Sequence, residues 1–353
     1  MINKEPVLLQ KPQVNLARST AARMWLVSIC AGMTILLSSV TDSYHSLIIA
    51  LSAAAAAIGT EMLLSSKTRG FTVGDGSAVA SALILTLLLP NQTPPLLAAA
   101  GAAFAMGVVK YSYGGLGANW VNPALGGWFF IRLSWPGIFD HALEGSPLAI
   151  LGESLKGGFS DPLGSPLGIL KIRGFTGSTL GGAVTFLLNK TIFSLTQAEL
   201  SEGYLDLLIL TGKGIIADRG GLALLVGSIM LIASQVSRPW ISGVFLGVYA
   251  LLVRSFGALP FGGGVGEGDL IFGLFSGGIL AAAFLLAADP VTGPKSNPGA
   301  LIFAVLAGGF TYLFRYKGNE PYGAFFALFL LNVLTPLFRC LETRIFYLKR
   351  RGS

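Results

Sequence analysis

Apolar residues in this chain fall in long, almost uncharged runs, not in the alternation of half-buried strands or the one-sided stripes of surface helices. The first run extends from Met24 to Val40 and the second from Ser46 to about Leu64. No charged residue lies between Asp75 and Lys110, and Pro90, Asn91, Gln92, Pro94 and Pro95 divide that block into a hairpin of two helices. Trp120 to Trp135 forms a fifth run, with Arg132 near its end. After a long polar interval come Gly221–Val236, Pro239–Val253, Leu270–Ala288, Gly299–Phe314 and Tyr322–Phe338. A helix needs about 17–25 apolar residues to cross a bilayer. The pattern therefore predicts an all-α polytopic membrane protein with about ten crossings, several short enough to require tilt or re-entrant halves. Five segments lie on each side of one long loop, as in the inverted repeats of many transporters. A faint internal echo pairs Asn122-Pro123-Ala124-Leu125 with Asn297-Pro298-Gly299-Ala300-Leu301.

The same pattern divides the chain into a polar segment 1–23, a first five-helix repeat 24–135, a loop 136–220, a second repeat 221–340 and a basic tail 341–353. Lys4, Lys11, Arg18 and Arg23 precede the first run, so the amino terminus is expected in the cytoplasm, with no cleavable signal peptide. Ten crossings return Arg344, Lys349, Arg350 and Arg351 to that side, together with Lys67, Arg69, Lys110, Arg238 and Lys295. Arg254, Arg315 and Lys317 run against the rule. Trp25, Trp120, Trp135 and Trp240 fall at helix ends, where an aromatic belt sits. The loop 136–220 is then extracytoplasmic. Its centre, Leu180–Phe193, is apolar enough for an interfacial or packed helix, while Asn189 and Lys190 argue against a spanning one.

Composition agrees and narrows the chemistry. Hydrophobic residues make up 53% of the 353 and charged ones 12%, half the share of a soluble domain. Two cysteines and two histidines cannot build an iron–sulfur cluster or a structural zinc site, so any redox role needs an organic cofactor. The net charge of +7 is spread between apolar runs and forms no basic face for nucleic acid. Gly212-Lys213-Gly214 lacks the rest of a phosphate loop, and no dinucleotide fingerprint is present. The run Gly114-Gly115-Leu116-Gly117-Ala118-Asn119 reads either as backbone open to a ligand or as small-residue helix packing, and composition favours packing. Gly262–Gly268 reads as a flexible external loop. Asp75 and Asp289 stand at helix ends, as caps or as contacts for an ion or cofactor. Thr176-Gly177-Ser178-Thr179 reads as a turn that displays hydroxyls on the outer face.

These pieces together resemble the D subunit of the Rnf electron-transport complex, a family that includes the B subunit of the Na⁺-translocating NADH:quinone oxidoreductase. The resemblance covers nearly the whole chain. It rests on Asp75-Gly76-Ser77-Ala78-Val79, on Lys110 with Gly114-Gly115-Leu116-Gly117 and Asn122-Pro123-Ala124, and on Thr176-Gly177-Ser178-Thr179. It continues in Asp289-Pro290-Val291-Thr292 and in Tyr322-Gly323 before Asn332 and Pro336. It implies a fold akin to urea-channel proteins and a place in the bacterial cytoplasmic membrane. It also implies covalent FMN, joined by a phosphoester to Thr179 within the Thr176, Gly177, Ser178 motif. Ser178 stands where the family usually has alanine, which adds a second hydroxyl, and Lys171 and Arg173 are nearby cations. Non-covalent riboflavin is implied too, with Gly115, Gly117, Asn119 and Asn122 as its candidate pocket and Asp75 and Asp289 as candidates for the ion path.

The implied activity is electron relay between ferredoxin and NAD⁺ coupled to Na⁺ or H⁺ movement. The implied partners are the A and E membrane subunits, the G flavoprotein subunit, the B and C iron–sulfur subunits, and an extracytoplasmic flavin transferase. One stretch departs from the family: Gly214-Ile215-Ile216-Ala217-Asp218-Arg219-Gly220 stands where Gly-Ser-apolar-Gly-Glu-Thr/Ser is usual. Two other functions compete. The quinone-reducing relative usually has a longer cytoplasmic extension than the 23 residues here. A passive solute channel without cofactor would explain the helices and leave the Thr179 motif without a role.

Overall fold

The computed structural model describes residues 19–41, 44–68, 73–115, 117–143, 179–191, 205–207, 214–261, 263–289, 291–318 and 320–351. The first half consists of α1 (Thr20–Thr41), α2 (His45–Thr68), α3 (Ser77–Leu88), α4 (Pro95–Phe104, continued by a π-helical stretch Ala105–Tyr111) and α5 (Pro123–Ser134). Two shorter helices follow, α6 (Pro136–Leu143) and α7 (Thr179–Thr191). The second half contains α8 (Ile216–Arg219), α9 (Gly221–Ala233), α10 (Pro239–Phe256) and α11 (Leu270–Phe275). It ends with α12 (Ile279–Ala281, then π-helical Ala282–Ala287), α13 (Asn297–Tyr312, then π-helical Leu313–Lys317) and α14 (Gly323–Arg351). Among the described residues there is no strand, only a bridge between Pro90 and Ile215.

This is a multi-pass helical membrane protein. Thr20–Val40, His45–Ser65, Pro239–Phe256, Asn297–Lys317 and Gly323–Cys340 are long and apolar enough to cross a bilayer, while Ser77–Leu88, Pro95–Tyr111 and Gly221–Ala233 are apolar and shorter. The remaining expected stretches differ from continuous spans. Leu270–Ala288 is two helices separated at Ser276–Gly278, because Gly277 and Gly278 take φ of 70° and 71°, a conformation costly for any residue with a Cβ. The Trp120–Trp135 run becomes helical only at Pro123, where Asn122 Oδ1 accepts the Ala124 N–H at 3.0 Å and proline occupies the first turn.

The helices pair in a recurring way. α2 packs on α4 and α4 on α5, as α10 packs on α13 and α13 on α14. α3 lies against α2, and α11 and α12 lie against α10. The Asn-Pro echo is not part of this correspondence. Pro123 opens α5 whereas Pro298 lies in the first turn of α13, whose packing counterpart is α4, and the caps are Asn122 and Ser296. Asn-Pro marks helix starts here.

The two halves meet where α1 crosses α9. A Cβ on Gly227 would lie 2.2 Å from Cys30 Sγ, and one on Gly220 would lie 2.5 Å from the Thr34 carbonyl oxygen. Small residues thus set this approach, as is general between helices in lipid. Gly227→Val should lower stability by about 1–3 kcal/mol through overpacking, read as a lower unfolding temperature of the detergent-purified protein. Elsewhere α5 meets α14 through rings: Trp128 is fully buried against the edges of Phe325 and Phe326, and Phe129 stacks on Phe329 at 3.9 Å. Arg132, at the end of α5, pairs with Glu320 at 3.3 Å and with Asp140 at 3.7 Å.

Two loops bear on the sequence reading. Gly263–Gly268 folds into a tight hydrogen-bonded turn, with Gly262 outside the described residues. The Gly266 N–H donates to the Ser255 carbonyl at 3.0 Å, the Gly268 N–H to the Arg254 carbonyl at 3.3 Å, and Asp269 caps α11. In the long loop, α7 realises the helix expected at Leu180–Phe193, with Thr185 buried and Val184, Phe186 and Leu187 exposed. Thr176, Gly177, Ser178, Lys171 and Arg173 lie outside the described residues.

Candidate functional site

A cavity of about 540 Å³ opens between the halves, within the size range of small-molecule sites. Thr20, Arg23 and Met24 of α1, Ser77, Ser81 and Ile84 of α3, and Asp75, Lys110, Gly117, Asn119 and Asn122 form the first-half wall. Leu231, Val236, Phe284, Leu285, Asp289 and Val291 form the opposite one.

Local chemistry places these groups. Gly76 takes φ of 73°, turning the chain so that Asp75 Oδ1 accepts the Ser77 N–H at 2.8 Å as α3 begins. Gly114, Gly115 and Gly117 take φ of 101°, 93° and 93°, and a Cβ on Gly115 or Gly117 would meet nothing within 4 Å. Their purpose is a left-handed turn, not the helix packing that composition favoured. Gly117 reaches the cavity wall, whereas Gly115 only shapes the turn. Asn119 donates to the Val121 carbonyl at 3.1 Å, and its Oδ1 is buried without a hydrogen-bond partner. Asn122 Nδ2 donates to Asp289 Oδ2 at 3.0 Å, joining the halves across the cavity. Asp289 also accepts the Val291 N–H at 2.9 Å and the Thr292 hydroxyl at 3.1 Å. Farther along this loop, burial and Arg339 hold the Lys295 ammonium pKa below its usual value, against the attraction of Asp289. Five residues singled out from sequence, Asp75, Gly117, Asn119, Asn122 and Asp289, thus share one cavity.

Sequence reading missed two charged clusters. Lys110, expected as a loop charge, is 3% exposed, and its Nζ lies 2.6 Å from Oε1 of fully buried Glu61. It also donates to Ser77 Oγ at 2.6 Å, and the Tyr111 hydroxyl donates to the same Glu61 oxygen at 3.2 Å. The available signal was Glu61 itself, a carboxylate within the second apolar run. Arg315 is likewise no loop charge. It is fully buried, donating to the Tyr249 hydroxyl at 2.7 Å, to the Gly273 carbonyl at 2.8 Å and to Ser276 Oγ. Its burial accounts for one departure from the positive-inside rule.

The unusual 214–220 stretch belongs to this second cluster. Asp218 accepts the Gly277 and Gly278 N–H groups at 2.9 and 2.7 Å, so a carboxylate still stands where the resemblance expects one. It meets the amino end of α12 while Arg315 meets the Gly273 carbonyl near the end of α11. Each charge opposes the local helix dipole.

The fold and cavity define a class: a multi-pass helical membrane protein in which interrupted helices meet at the junction of two halves. Within that class, the chain belongs to the NQR2, RnfD, RnfE family, whose profile matches residues 7–346. It is 31% identical over 329 residues to the D subunit of the proton-translocating ferredoxin:NAD(+) oxidoreductase complex of Clostridium ljungdahlii, covering 92% of this chain and 91% of that one. It is 28% identical over 336 residues to the D subunit of the Na(+)-translocating complex of Acetobacterium woodii, with 92% and 90% covered. To the D subunit of the ion-translocating oxidoreductase complex of Shewanella amazonensis it is 31% identical over 291 residues, with 82% of each chain covered.

Proposed function

We propose that this protein is the membrane flavoprotein subunit of a redox-driven ion pump that couples ferredoxin–NAD⁺ electron transfer to movement of Na⁺ or H⁺. The observation that carries this reading is near full-length similarity to the D subunits of such complexes, together with the family match over residues 7–346. Those names favour the D subunit over the quinone-reducing relative and over a passive channel. One relative is named for protons and another for sodium, so the transported species is put as a monovalent cation. The protein is incomplete alone and works with the A and E membrane subunits, the G flavoprotein subunit and the B and C iron–sulfur subunits. Both termini face the cytoplasm and the loop bearing Thr179 faces outward, where a flavin transferase acts.

Two flavin positions belong to this reading. FMN is ester-linked to Thr179. That residue is the first of α7, and a helix amino terminus favours a phosphate through its free N–H groups and dipole. Riboflavin occupies the 540 Å³ cavity. The unpartnered Asn119 Oδ1 supports this, as an acceptor suited to an imide N–H, and Asn122 and Asp289 supply further polar groups. Bound flavin supplies one- and two-electron exchange; the chain orients it and excludes water. The test is ultraviolet in-gel fluorescence of the denatured protein, produced with its transferase. Wild type and Ser178→Ala should give a fluorescent band and Thr179→Val none. A dark wild-type band overturns covalent attachment.

A further inference from the structure

Two buried cations occupy matching places in unlike surroundings. Lys110 and Arg315 both ride on π-helical stretches, at the ends of α4 and α13, a local geometry frequent at functional sites. Each reaches a serine beside a left-handed glycine that precedes a short inner helix: Ser77 after Gly76, and Ser276 before Gly277. There the likeness ends. Among the described residues, Arg315 is hydrogen-bonded only to neutral oxygens from Tyr249, Gly273 and Ser276, and its nearby carboxylate, Asp218, is already bound to the Gly277 and Gly278 N–H groups. The space beside Asp218 is about 10 Å³, close to the smallest that holds a water. Lys110 instead pairs with a carboxylate, Glu61, and lines the large cavity, with Asp75 also on that wall. A lysine is moreover a single point charge on a flexible stem, whereas a guanidinium is fixed by several planar bonds.

We propose that Glu61 and the Ser77 hydroxyl form a monovalent-cation site that the Lys110 ammonium occupies at rest, and that Na⁺ or H⁺ arriving through the cavity displaces the ammonium toward Asp75. The Tyr111 hydroxyl, bonded to Glu61 Oε1, holds the carboxylate in place. Local charge compensation ties the two movements. A buried carboxylate is not stable without a positive partner, so the ammonium departs only as the incoming ion or proton neutralises Glu61. The freed Lys110 then finds a carboxylate at the wall it already lines. Ion entry is thereby converted into movement of one tethered charge inside the cavity. This inference rests on the ion-pumping reading above and gives it a binding residue.

The test is Lys110→Met in the purified intact complex. Its unfolding temperature is titrated with NaCl against choline chloride, and with pH in sodium-free buffer. Removing the competitor should lower the half-stabilising NaCl concentration about ten-fold or more. If the proton is the ion, it should instead raise the midpoint of the pH dependence by about one unit or more. Curves that coincide with wild type in both titrations overturn the proposal. Should this variant fail to assemble, the double variant Glu61→Gln/Lys110→Met, which leaves neither charge, decides. Loss of the wild-type cation dependence supports the site, and its retention overturns it. Ion uptake by wild-type proteoliposomes is measured separately. No uptake alongside a shifted titration removes the pumping reading and leaves the cation site standing.

Discussion

Arg315→Leu should leave little folded protein, with a loss of about 3–5 kcal/mol, the usual result of removing one partner from a buried charged network. The side chain is fully buried and serves the Tyr249 hydroxyl, the Gly273 carbonyl and Ser276 Oγ at once. It stands at the end of α11, where helix termination leaves carbonyls without partners inside the helix. Leucine supplies no donors, so these oxygens keep only the bonds from the Tyr249 hydroxyl to the Gly273 carbonyl and from the Ser276 hydroxyl to the Phe272 carbonyl, and the remaining acceptor capacity goes unmet in a dry interior. Arg315 also acts electrostatically on Asp218, which grips the other side of the interruption through Gly277 and Gly278. Arg315→Lys should fall between, because one ammonium cannot reproduce the spread of a guanidinium. Yield and unfolding temperature of the detergent-purified protein measure both. A leucine variant as stable as wild type would refute the clamp.

On the proposed function, Ser81→Trp should expel the riboflavin assigned to the cavity and spare the FMN assigned to Thr179. Ser81 is a partly exposed residue of α3 on the cavity wall. An indole there projects into open space instead of into packed helix, so the fold is retained. The indole takes up part of the cavity of about 540 Å³ along α3, so a three-ring ligand seated against that wall meets it. Acid-extractable riboflavin per mole of purified chain should drop about ten-fold or more, while in-gel fluorescence from Thr179 is unchanged. Full riboflavin content in a folded Ser81→Trp protein would place that cofactor elsewhere.

Much of the architecture was legible because lipid imposes a simple rule: backbone polar groups must bond within the segment, so long uncharged runs become helices. Glu61 and Lys110 were hard to read because a charge near the end of an apolar run looks the same in a loop as in a buried pair. Their partnership spans 49 positions and depends on how α2 lies against α4. Arg315 looked like an orientation anomaly for the same reason. The glycines divided in a way composition cannot express: Gly227 admits a neighbouring helix, whereas Gly114, Gly115 and Gly117 admit a backbone angle. Thr179 is proposed from its motif and the family resemblance, and the structure adds only that a helix begins there.

By itself the sequence determined the lipid environment, the helical segments, the scarcity of cysteine and histidine and the hydroxyl motif, since each follows from residue type and local spacing. Only the tertiary structure decided that Asp75, Asn119, Asn122 and Asp289 line one cavity, and that Asn122 and Asp289 join the halves across it. It alone decided which cation is locked and which stands at an open wall. Those outcomes depend on the approach of helices remote in the chain, and no local pattern encodes the distance between them.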